Sequence, residues 1–325
     1  MALAAGLLAN LAGCASQATE PTDTRFEFHS AFLMNLHHFL FDAARHPERL
    51  AATEWTKPPT PAEMATLREA VATYAATFGK RNLRSDDELA QVRLALARAE
   101  DFRKRPEGLG LPPALEAVLA RAAPVYAHCL WASQDRRNLD WIARVQVLQA
   151  RYGAQIQPRL ERIFDARYPA TIRDDVVVDT GTFTGAYTST TPPQTVLPSG
   201  WPDYDGLAAL EMLWHEASHT GPDDRLIAII ETEAGAMGRP APDDLWHAAL
   251  FEAVGVTVAD VYARAGVRGY VPYAERRNVY GHGWEAYVPL LHGPWRAWID
   301  GSGTLKGAVD AMLAELPAAP GTASP

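Results

Sequence analysis

"LEMLWHEASHTG", residues 210–221, sets two histidines four apart with a glutamate directly after the first. A helix turns once in about 3.6 residues, so His215 and His219 project from one face and offer two imidazole nitrogens to one cation. Glu216 points in an adjacent direction, where it can take a proton from a water activated by that cation. Leu207, Leu210, Leu213 and Trp214 crowd the residues ahead of the motif, and "TGPDD" ends the helix soon after it. The stretch reads as a mostly buried helix with a polar end, as a zinc site requires, and not as a solvated one.

The rest of the chain must bury that helix. Of 325 residues, 48% are hydrophobic and 21% charged, the profile of a globular protein with a large core. A formal charge of −9 and a pI near 5.6 argue against a grip on phosphate backbones, so no nucleic-acid partner is expected. The short basic runs "FRKRP" (102–106) and "ERR" (275–277) read as solvated faces.

From 28 to 166 the pattern is helical. "FHSAFLMNLHHFLFDAAR" (28–45), "TPAEMATLREAVATYAATFG" (60–79) and "SDDELAQVRLALARAEDF" (85–102) place apolar residues at three- and four-residue intervals. "DDVVVDTGTFTGAYTSTTPP" (174–193) is dense in Val, Thr and aromatic residues between turn signals and predicts a strand or hairpin. Helical patterns resume at 207 and run to about 315. The expected fold is α+β and mainly α-helical, with a small β-sheet preceding the motif helix. One domain over 21–316 is expected, with a helical half (28–166), a metal-site half (174–316) and a disordered tail (317–325).

Over 215–219 the chain resembles the zincin metallopeptidases, whose H-E-x-x-H helix supplies two zinc ligands and a general base. The resemblance implies a zincin-like fold, Zn2+, and hydrolysis of a peptide or protein substrate with Glu216 as the base. Catalytic zinc takes three protein ligands. The metzincin continuation is absent, since Pro222 and Arg225 stand where Gly and His would, and Gly238 and Arg239 stand where short-spacer gluzincins place a glutamate. Glu231 and Glu233 in "IIETEAG" remain as candidates, with His247 and Glu252 in "PDDLWHAALFEAVG". "DLWHAALFEAVG", "FHSAFLMNLHHFL" and "VPYAERRNVYGHGW" resemble stretches of a group of bacterial H-E-x-x-H lipoproteins in which the histidine is kept. His247 is therefore the expected third ligand, and Glu252, Glu231 and Glu233 are its rivals.

A zinc hydrolase often sets a donor opposite the metal to receive developing negative charge. Tyr280 is the expected donor, with His282 and Arg277 as rivals. His37 and His38 diverge by about 100° on a helix, so at most one faces the metal. Tyr187 is a candidate for an edge strand that pairs with an extended substrate.

The first residues, "MALAAGLLANLAGC", carry no charge and are too short to span a bilayer as a helix. Leu11, Ala12, Gly13 and Cys14 resemble the lipobox of bacterial lipoproteins, although no Lys or Arg precedes Arg25. That resemblance implies a signal segment over 1–20, export to the bacterial envelope and a membrane anchor at Cys14, with the outer membrane favoured. Cys129 then has no disulfide partner and reads as a buried helical cysteine. Two other functions stay open: a non-catalytic envelope binding or scaffold lipoprotein with a degenerate site, and a zinc hydrolase of non-peptide esters or amides.

Overall fold

Strand β1 (Arg25–His29), β2 (Thr171–Val177), β3 (Tyr187–Ser189) and β4 (Gln194–Pro198) form one sheet in the order β1-β2-β4-β3. The first three in that order run parallel, and β3 is the antiparallel edge. The computed structural model describes residues 23–83, 86–99, 104–181 and 185–316. The signal-like segment with Cys14 and the tail 317–325 lie outside the described residues.

Side chains alternate across the sheet with period two. Ile172, Val176 and Leu197 face one hydrophobic cluster, and Val177, Val196 and Tyr187 face a second. A largely parallel sheet needs both faces covered, and helices cover both. On the second face lie α1 (Phe32–Arg45), the short α2 (Pro47–Ala52), α3 (Pro61–Phe78), α4 (Asp87–Ala97) and α5 (Pro113–Cys129). Helix α3 begins at a full capping box, in which Thr60 accepts from the Glu63 N–H and Glu63 accepts from the Thr60 N–H, with Pro61 in the first turn.

The protein is mainly helical α+β, as expected, with two corrections within that class. The stretch 28–45 does not begin in a helix: "RFEFH" alternates aromatic and polar residues and pairs with β2, so α1 starts only at Phe32. The 34-residue α6 (Trp131–Phe164) does not belong with the helices that precede it. Its buried stripe, including Trp141, Val145, Tyr152, Ile156 and Leu160, joins the first cluster with α7 (Ala208–Ser218), α8 (Pro222–Ala236) and α9 (Leu245–Arg264). Among the described residues no helix is long and apolar enough to cross a membrane.

Every residue of α7 is buried, so its polar side chains need internal partners. Glu211 accepts the Tyr273 N–H at 2.9 Å and the Tyr270 hydroxyl, fixing the segment that leads into α10 (Tyr273–Arg276). Helix α9 crosses close by at Gly255, where a Cβ would lie 2.9 Å from Pro272 Cβ and 3.2 Å from Glu211 Oε1. Burial pushes the Glu211 carboxyl from 4.5 up to about 7, against the opposing effect of those hydrogen bonds. A raised pKa means that the folded chain keeps a proton the unfolded chain has released. The stabilisation is complete below the unfolded value and is lost as pH rises through the folded one. A shift of this size corresponds to a loss on the order of 3 kcal/mol. Glu211→Gln mimics the protonated form and cannot ionise. The urea midpoint of wild type relative to this variant is expected to fall between about pH 5 and pH 8, and a flat difference would rule out this ionisation.

Candidate metal centre

His215 lies in the last turn of α7, and His219 is the residue that caps that helix. Gly221, at φ 144°, lets the chain reverse into α8, and this brings Asp223 in the first turn back against His219. His247 is the third residue of α9, which starts after Asp244 in a left-handed conformation at φ 56°. Two chain reversals thus bring three imidazoles to one point.

The Nε2 atoms of His219 and His247 each lie 3.3 Å from Nε2 of His215. All three ligand atoms fall within 4.8 Å of one another. Two nitrogens bound to one tetrahedral zinc at its usual bond length are separated by about 3.3 Å, so the spacing fits that ion. The His219 Nδ1–H donates to Asp223 Oδ2 at 2.7 Å, a tautomer that leaves the Nε2 lone pair facing its two neighbours. Ring orientations are also fixed by packing. Phe251 stacks on His215 at 4.0 Å between centroids, and Trp284 stands edge-on to His247 at 5.3 Å.

For a zinc ion held by these three imidazoles, Asp223→Ala is expected to leave the fold intact and to weaken binding about 10- to 100-fold, because the His219 ring loses the acceptor that sets its tautomer. Competition with a chromophoric chelator reads the change. Unaltered affinity would show that Asp223 does not orient the ligand.

Glu216 is buried beside the imidazoles, and the Thr188 hydroxyl of edge strand β3 donates to its Oε2 at 2.7 Å and lies 3.1 Å from its backbone oxygen. The motif helix is therefore tied directly to the sheet. A cleft of about 780 Å³ opens over this group, bounded by β3, Trp246, Trp284, Tyr204 and Tyr273. Its charged lining residues among those described are the acids Glu216, Asp223 and Asp244, with no lysine or arginine.

The rival ligands are engaged elsewhere. Glu252 accepts the Tyr280 hydroxyl at 3.0 Å and lies 3.9 Å from His292 Nε2; burial raises its carboxyl pKa. Glu231 is exposed, and Glu233 pairs with Lys306 at 2.7 Å. Tyr280 is not where its expected role requires. It is buried behind the cleft with its hydroxyl on Glu252, while its neighbours Val279 and His282 line the opening. Arg277 is exposed and pairs with Asp203 at 3.2 Å.

His37 and His38 both lie in the opposite core. His37 Nδ1 meets the Tyr74 hydroxyl at 3.0 Å, and His38 Nε2 meets the Tyr187 hydroxyl at 2.6 Å. Burial lowers the His38 pKa to about 4. Tyr187 contributes to the cleft wall, but its phenol turns through the sheet to His38. Asp223, Thr188, Tyr204 and Tyr273 were not anticipated at the site. Asp223 stands four residues after His219, a spacing that could have revealed it, whereas Thr188 reaches Glu216 only through the sheet. No family model, curated protein or solved structure matches this chain.

Proposed function

We propose that this chain is a zinc-dependent hydrolase of zincin type that cleaves peptide bonds, with His215, His219 and His247 as ligands and Glu216 as general base. The supporting observation is the convergence of three Nε2 atoms at zinc-ligand spacing beside a buried glutamate, at the floor of a cleft bordered by an edge strand. When bound, zinc would act as a Lewis acid that polarises the scissile carbonyl and makes a water acidic enough to attack near neutral pH.

The chain's own residues supply the remainder. Glu216 Oε2, oriented by Thr188, accepts the proton released as water attacks and hands it to the departing amine. His219 is held in register by Asp223. The aromatic walls at Trp246, Phe251 and Trp284 exclude solvent and strengthen each of these interactions. Strand β3 offers its outer edge to an extended peptide. The resemblance of the segment ending at Cys14 to a lipobox supports substrates of the bacterial envelope.

The test is zinc content of the purified chain for wild type, His215→Ala and His247→Ala, joined to a screen of internally quenched peptides with blocked ends. One zinc lost in both variants, with peptide cleavage lost in parallel, is the expected result for this site. Zinc retained at full affinity by His247→Ala would overturn the ligand assignment. Zinc bound without cleavage of any peptide would favour the scaffold lipoprotein.

A further inference from the structure

On the opposite side of the sheet, a second group of ligand atoms converges where α5 ends and α3 begins. His128 Nδ1 lies 2.9 Å from Glu63 Oε1 and 3.6 Å from Cys129 Sγ, and the three atoms fall within 4.8 Å of one another. Cys129 is a buried free thiol, and the His128 side chain is about half exposed. We propose that Glu63, His128 and Cys129 form a second cation site, which takes a thiophilic divalent ion such as Zn2+ with water at the fourth position. This inference is independent of the hydrolase reading.

The geometry is close to what such an ion needs. A nitrogen and a sulfur on one tetrahedral zinc are separated by about 3.6 Å, which is the observed spacing, and a nitrogen and an oxygen by about 3.3 Å. The Glu63–His128 contact would open by a few tenths of an ångström on binding. Both lateral ligands are fixed in advance. The Thr60 N–H and hydroxyl each donate to Glu63 Oε2 at 2.8 Å, which leaves Oε1 turned toward the imidazole. The Lys57 N–H donates to the Cys129 carbonyl at 3.1 Å and holds the end of α5 against the loop before α3. One thiol, one imidazole and one carboxylate select borderline and soft ions over calcium or magnesium. The ends of the two helices add to this: the first turn of α3 favours the Glu63 carboxylate, and the last turn of α5 favours the cation. A bound ion would clamp α3 to α5, two of the helices on the second face of the sheet.

Cobalt(II) distinguishes this site from the three-histidine centre, because only a thiolate ligand gives an intense near-ultraviolet charge-transfer band. The full chain is titrated with Co2+ in a Cys14→Ser background, which removes the other thiol. The expected result is a thiolate band that saturates at one cobalt ion per chain, survives His247→Ala and disappears in Cys129→Ser. His128→Ala, whose half-exposed side chain can be removed without opening the core, is expected to weaken the band-forming event about 100-fold or more. Absence of the band in the Cys14→Ser chain would overturn the proposal and leave Glu63 and His128 as an ordinary ion pair. A band indifferent to His128→Ala would overturn the ligand set.

Discussion

Glu216→Gln is expected to lower kcat on any cleaved peptide by about 10²- to 10⁴-fold while zinc content and thermal stability stay at the wild-type values. Glutamine keeps the shape of the side chain and an oxygen to accept the Thr188 hydroxyl, so the link between α7 and β3 survives. Only the ability to take up a proton is lost. The loss corresponds to about 3–5 kcal/mol of barrier, within the range of a single positioned base. Because the change acts on proton transfer and not on binding, KM should move far less than kcat. Metal analysis on the same preparations separates two failures. A zinc-free Gln variant would make Glu216 a ligand or a structural support, and a zinc-loaded variant of undiminished rate would remove it from the chemistry.

Trp214→Ala is expected to cost about 3–5 kcal/mol of stability, the largest structural effect of any single change near the site. The side chain is fully buried, with its ring edge-on to Phe26 at 5.2 Å and to Tyr168 at 5.1 Å. Its Nε1–H donates to Gln149 at 3.0 Å. One residue beside His215 thus joins β1, the β2 approach and α6 to the motif helix. For a chain of this size the midpoint of thermal unfolding should drop by about 4–7 °C. Trp214→Phe should recover part of the loss, since it restores one aromatic ring but leaves the volume of the second empty and forfeits the hydrogen bond to Gln149. A change under about 1 kcal/mol in the Ala variant would mean that the core closes over the cavity and that this tryptophan does not anchor α7.

Local chemistry was legible in the sequence wherever it was self-contained. The three- and four-residue apolar spacing of 60–79 put the start of α3 within a residue of its place, and the apolar run before His215 announced a buried helix. His247 was expected beside the motif histidines from the resemblance carried by "DLWHAALFEAVG", and its ring lies against the other two. Features that depend on pairing between distant segments could not be read in this way. "RFEFH" is too short to declare a strand until β2 lies beside it. The amphipathic stripe of α6 states that one face is buried but not which partner buries it, and it packs with the motif helices. Tyr280 shows the same limit at the site, because a tyrosine near a turn can face a cleft or a buried carboxylate, and only the position of Glu252 decides between them.

The parallel pairing of Arg25–His29 with Thr171–Val177 also sets an order of events in biosynthesis. The first strand leaves the ribosome early and has no neighbour until β2 follows. At about 5–20 residues per second that wait is roughly 7–30 s, during which two phenylalanines and an open row of amide groups stay exposed. The sheet, and with it the Thr188 contact on Glu216, can close only after more than half of the chain has been made. Over that interval β1 presents an unpaired edge and apolar side chains to chaperones that hold nascent segments open, while the helices between the two strands can already pack on one another.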